Sequence, residues 1–135
     1  MVGKYNVITL CGSTRFKDAF LEAQKRLTLE GNIVISVGLF GHSGDEEVWT
    51  EGTKEMLDDM HKRKIDMADE IYVINVGGYI GSSTQSEIEY AKANGIPVRY
   101  LEVLFSIKKS FIRNCLYVFM FFFICFTYIL ILFFS

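Results

Sequence analysis

Glu87 follows a stretch dense in glycine and hydroxyl groups, Gly77-Gly78-Tyr79-Ile80-Gly81-Ser82-Ser83-Thr84-Gln85-Ser86. Such a run ahead of a helix offers free backbone N–H groups that cradle an anion or a sugar. In the first turn of that helix the dipole would keep Glu87 ionised, and an ionised, positioned carboxylate is a nucleophile. The same spacing has a plainer use, because Ser83 and Thr84 precede Glu87 closely enough to make it a capping-box glutamate. A second turn, Cys11-Gly12-Ser13-Thr14-Arg15, offers related chemistry. Gly12 admits a ligand close to the backbone, Ser13 and Thr14 cap a helix or bond a phosphate, and Arg15 supplies a bidentate contact. Its plain alternative is a capping turn, and the G-x-x-x-x-G-K-[ST] pattern of a P-loop is absent.

Other candidates are single residues. His42 and Asp45, in a polar, glycine-bearing loop, are placed to contact a base or ribose, and Trp49 or Phe40 would stack on a base or pack as core and lid. His61 is a general acid by residue type, or one member of a solvated face, His61-Lys62-Arg63-Lys64. Cys11 reads as a buried structural thiol. Cys11, Cys115 and Cys125 are an odd set without a C-x-x-C pair, which argues against a disulfide framework and against a zinc site.

These residues need elements to hold them. Asn6–Cys11, Ile33–Val37, Glu70–Val76 and Pro97–Val103 are short apolar runs bounded by turn residues, and each reads as a buried strand. Between them, Arg15–Glu30 carries Phe16, Ala19, Phe20, Ala23 and Leu27 at helical spacing, with Gly31-Asn32 as its stop. Thr50–Met67 is a second helix, with Met56, Leu57, Met60, Ile65 and Met67 assigned to its inner face. Thr84–Asn94 is a third, closed by Gly95. Alternating strands and helices predict an α/β fold, a small doubly wound (Rossmann- or flavodoxin-like) parallel sheet of about four to five strands with flanking helices. Ligands of such sheets bind beyond the carboxyl ends of the strands. That rule brings together the loops Gly12–Arg15, Gly38–Trp49 and Gly77–Ser86.

With the residues placed in this order, the arrangement resembles the nucleoside 2-deoxyribosyltransferase superfamily, which includes the 2′-deoxynucleoside 5′-phosphate N-hydrolases. The likeness spans about residues 5–102 and is carried by the Gly-Ser-x-Arg turn, an Asp closing the second helix, an apolar strand and a Gly/Ser loop entering Ser86-Glu87-Ile88-Glu89-Tyr90-Ala91. The last stretch is similar to the family's Glu-Leu-Gly-Tyr-Ala motif. The resemblance implies that Glu87 is the nucleophile at C1′ of a deoxyribosyl group, through an oxocarbenium-like transition state as in a retaining glycosidase. It implies that Gly12, Ser13, Arg15, Gly81, Ser82, Ser83 and Ser86 hold the sugar or its 5′-phosphate, with no metal and no organic cofactor. It also implies a homo-oligomer whose neighbouring subunits complete the site. Two positions depart from the pattern: His61 stands where a catalytic aspartate is common, and Glu89 replaces a glycine. The alternative is a non-catalytic nucleotide sensor on the same scaffold.

Charge narrows the partner. Up to Ile107 there are 11 basic and 16 acidic residues, a net of −5, whereas the remainder carries three basic residues and none acidic. An acidic α/β part is a poor match for a nucleic-acid polymer, so a small nucleoside or nucleotide is the expected ligand. The chain divides accordingly into residues 1–107 and an apolar segment, 108–135. Within it Cys115–Phe134 is a run of twenty uncharged residues, long enough to span a bilayer. Lys108, Lys109 and Arg113 before it would leave the α/β part in the cytoplasm. The rival reading is an appended tail foreign to the α/β domain. Met1 leads almost directly into the first strand, without a visible signal peptide, which also points to the cytoplasm.

Overall fold

The computed structural model describes residues 3–102. Strands β1 (Val7–Gly12), β2 (Ile33–Ile35), β3 (Glu70–Ile74) and β4 (Val98–Tyr100) alternate with helices α1 (Lys17–Leu29), α2 (Thr53–Asp66) and α3 (Ser82–Ala93). All pairings are parallel and the order is β2-β1-β3-β4. This is a Rossmann-like α/β arrangement whose order matches the first four strands of a flavodoxin-like sheet. The segment Cys115–Phe134 lies outside the described residues, and among those described no helix is long and apolar enough to cross a membrane.

The period-2 alternation of the strands divides the core in two. Ile8, Leu10, Tyr72 and Ile74 face one side, where Phe20, Ala23 and Leu27 of α1 cover them. Cys11, Ile71 and Val73 face the other, against Ile65 of α2 and Ile88 and Ala91 of α3. Any functional group on α2 and α3 therefore meets the Cys11 side of β1. Thr9 fixes this layer, its buried hydroxyl donating to the Lys64 carbonyl of α2 at 2.8 Å.

Helix ends follow local chemistry. After α1, Gly31 has φ +89°, and the Asn32 backbone and side-chain N–H groups both donate to the Leu27 carbonyl. Helix α3 begins two residues before the predicted Thr84. Extended Gly81 is its N-cap, and the Gln85 N–H donates to the Gly81 carbonyl at 2.9 Å. Glu87 thus falls in the second turn, beyond the reach of a capping box, and Gly81 makes no side-chain cap bond.

The inner face of α2 differs from the sequence reading. Met56, Met60 and Met67 are exposed, while His61 and Ile65 are buried and Leu57 is half-buried. Residues 57, 61 and 65 form one i, i+4 row, and methionine's flexible side chain tolerates the outer face. Within the run 61–64 only Arg63 is fully solvated. His61 points inward, and the half-buried Lys64 ammonium donates to the Ser36 and Val37 carbonyls at 2.9 Å each.

Candidate functional site

The chain leaves β1 toward β2 on one side and β3 toward β4 on the other, so the loops after β1 and β3 diverge and leave a crevice. A cleft of about 370 Å³ occupies it. Gly12–Arg15, Gly81–Thr84 and Glu87 line it from the two strand-to-helix turns, His42 and Trp49 from the loop after β2, and Lys54, Asp58 and His61 from α2.

Gly12 is required on two counts. Its φ is +154°, and a Cβ there would lie 2.9 Å from the Ile74 carbonyl oxygen of β3. Close packing of β1 on β3, rather than ligand approach alone, accounts for the glycine. The turn beyond it is tied to the loop after β2. Thr14 Oγ1 and His42 Nδ1 share a hydrogen bond of 2.8 Å, and Ser43 Oγ donates to the Thr14 carbonyl at 2.8 Å. Ser13 makes no capping bond, so the plain capping reading of this turn is not realised. Arg15 lies over the Tyr79 ring at 4.4 Å, which joins the first turn to the third.

Three expected contributors are placed elsewhere. Asp45 is used within its own loop, accepting the Phe40 N–H, and it does not line the cleft. Ser86 is exposed on α3 away from the cleft, because helical spacing sets it about 100° round the axis from Glu87. Phe40 is core, packed edge-to-face on Phe20 at 5.5 Å. Trp49, by contrast, is half-exposed at the rim, with its ring edge-to-face on His42 at 5.1 Å.

The floor of the cleft is chemically distinct. His61 from α2 and Glu87 from α3 line it, and the fully buried Cys11 of β1 lies beneath them, the ligating atoms of all three within 4.8 Å of one another. Cys11 Sγ and His61 Nε2 are 3.4 Å apart. His61 Nε2 and Glu87 Oε1 are 3.8 Å apart, beyond hydrogen-bond reach, and the buried Glu87 Oε2 has no partner among the described residues. Burial pushes the Glu87 carboxyl up to about 7, the Cys11 thiol opposing and the Asp58 charge adding. Burial likewise pushes His61 down to about 4, with Lys64 reinforcing it and Asp58 opposing. The pair is therefore no ion pair at neutral pH. His61 is uncharged there and holds no extra proton for a leaving group, contrary to the general-acid role read from its residue type. Burial and the adjacent Glu87 hold the proton on Cys11 well above the ordinary thiol range.

Glu89, the second departure from the motif, is exposed and accepts a hydrogen bond from Gln85 at 2.8 Å. It does not line the cleft. Tyr90 donates its hydroxyl to Asp66 at 2.7 Å and so aligns α3 with α2. Asp69 accepts the Val7 N–H at 2.8 Å, at the opposite, amino edge of the sheet.

Sequence reasoning missed Cys11 as a member of the floor, and Lys54 and Asp58, paired at 2.6 Å, as part of the wall. The 57-61-65 row was the available signal for His61, and strand parity was the signal for Cys11. Comparison of the chain with family models, curated proteins and solved structures finds no match.

Proposed function

We propose that this protein cleaves or transfers at the N-glycosidic bond of a deoxynucleoside or its 5′-monophosphate, with Glu87 as the nucleophile. The observation that carries this reading is the position of Glu87. Its carboxyl lines a cleft at the carboxyl ends of the strands, opposite a glycine turn and an arginine that suit a sugar phosphate. In its ionised form Glu87 attacks C1′ as the base departs, and water or a second base resolves the ester. Burial favours this step, since a desolvated carboxylate is strongly attracted to an oxocarbenium-like centre. Arg15, Ser13 and the first turn of α3 hold the sugar or its phosphate, and Trp49 stacks on the base at the rim. With His61 neutral, protonation of the leaving base falls to solvent or to a group of the substrate.

The test is incubation of the full chain with a panel of deoxynucleosides and their 5′-monophosphates, with free base followed by chromatography. Glu87→Gln should reduce base release by about 10³-fold or more. A non-catalytic nucleotide sensor is favoured by one observation, that Glu87 is only 14% exposed and one of its oxygens meets no donor. Binding of a nucleotide with no base release from any substrate would establish that alternative.

A further inference from the structure

The floor of the cleft is a poor hydrogen-bonded cluster and a good coordination cluster. Zinc bonds of about 2.3 Å to sulfur and about 2.0–2.2 Å to imidazole and carboxylate, at tetrahedral angles, place neighbouring ligand atoms about 3.4–3.6 Å apart. Here Sγ–Nε2 is 3.4 Å and Nε2–Oε1 is 3.8 Å, and no pair of ligand atoms exceeds 4.8 Å. A hydrogen-bonded reading leaves His61 too far from Glu87 and strands Oε2 in the interior without a donor. We propose that Cys11 Sγ, His61 Nε2 and the Glu87 carboxylate form a three-ligand site for a zinc-class divalent cation, with its fourth position opening into the cleft.

The chemistry of the donors selects the cation. A thiolate with an imidazole suits a borderline-soft ion such as zinc or cobalt and disfavours magnesium or calcium. Thiolate and carboxylate together cancel a charge of +2. On binding, the Cys11 S–H bond breaks, sulfur donates its electron pair to the metal, and the proton leaves to solvent. Surrounding cations do not block the site. Lys54 is paired with Asp58 at 2.6 Å, the Lys64 ammonium is turned onto two backbone carbonyls, and Lys62 lies over the Tyr90 ring at 5.9 Å. The ligands are held by rigid elements, one strand and two helices, and the Thr9 bond to α2 fixes the helix that carries His61. Three protein ligands with an open position are the arrangement of a reactive or regulated metal site rather than a closed structural one. A metal-bound Glu87 shares its negative charge with the cation and is a weaker nucleophile toward C1′, so occupancy would oppose glycosidic chemistry. The site itself does not depend on that chemistry.

Cobalt(II) added alone to chelator-treated full chain is the direct probe. The expected result is one bound ion per chain, a thiolate-to-cobalt charge-transfer band in the near ultraviolet, and displacement by zinc. Cys11→Ser should abolish the band, whereas a Cys115→Ser/Cys125→Ser double variant should keep it. His61→Gln and Glu87→Gln should each weaken cobalt binding by at least about tenfold, and zinc should raise the thermal midpoint of the unmodified chain but not of His61→Gln. Absence of the band, its persistence in Cys11→Ser, or its loss in the double variant would overturn the proposal. None of these readouts requires a nucleoside, so they leave the glycosidic reading to be judged by base release alone.

Discussion

At the rim of the cleft, Thr14, His42, Ser43 and Trp49 are partly exposed and bond to one another or to backbone. On its floor, Cys11, His61 and Glu87 are largely screened from water, and one carboxylate oxygen has no partner among the described residues. Cys11 of the floor and Thr14 of the rim are only three positions apart in sequence, yet the physics of the two regions differs. Rim groups are satisfied by water and by one another. Floor groups shift because desolvation penalises whichever form is charged, which raises the acid and lowers the base. On the reading proposed above, the rim holds the polar ligand and the floor supplies the reacting group or the metal ligands.

The residue that joins the two regions should show the largest stability effect. Gly12→Ala forces a side chain against the Ile74 carbonyl and into a backbone conformation that alanine avoids. It should cost about 3 kcal/mol, measured by urea unfolding. A loss below about 1 kcal/mol would mean that β1 and β3 relax apart without penalty.

Next comes a pH dependence confined to the floor, in metal-free protein. Glu87 is raised from its ordinary 4.5 to about 7, so the stability it contributes is complete below pH 4.5 and is lost as pH rises to 7. His61 is lowered from 6.5 to about 4, so its contribution is complete above pH 6.5 and is lost as pH falls to 4. Over the shared window from pH 4.5 to 6.5 the two slopes oppose each other, and the unmodified chain should be nearly flat. Glu87→Gln removes one slope, and its stability should climb by about 3 kcal/mol between pH 4 and 6.5. His61→Gln should show the reverse trend. Parallel pH curves for all three proteins would contradict the buried, oppositely shifted pair.

Rim substitutions should act on ligand more than on fold. Arg15→Ala should raise the KM for a 5′-monophosphate about 10- to 100-fold through loss of a charge-assisted contact. The KM for the unphosphorylated nucleoside should stay within about twofold. Equal effects on both would remove Arg15 from phosphate recognition. Smallest of all, Thr14→Val should cost about 1 kcal/mol or less, the worth of one partly exposed hydrogen bond, in thermal or urea unfolding.

Much of this was legible in the chain. Apolar runs and helical spacing announce four strands, three helices and a parallel sheet, because burial on both faces leaves a strand no polar side. The rule that ligands sit beyond the strand ends is enough to gather Gly12–Arg15 with Gly81–Ser83 and Glu87. Loop contents were less legible. Asp45 and Ser86 belong to the right segments but turn away, since a loop's own backbone bonds and helical spacing decide where a side chain points.

What the sequence determined by itself is the order of elements and the residues available at one end of the sheet, both local consequences of hydrophobic period and turn chemistry. What only the tertiary structure decided is the meeting of Cys11, His61 and Glu87. They are separated by 50 and 26 positions, and no motif links them. Strand parity, the 57-61-65 row of α2 and the early start of α3 had to act together, because proximity, burial and shifted proton affinity are properties of packing and not of any single segment.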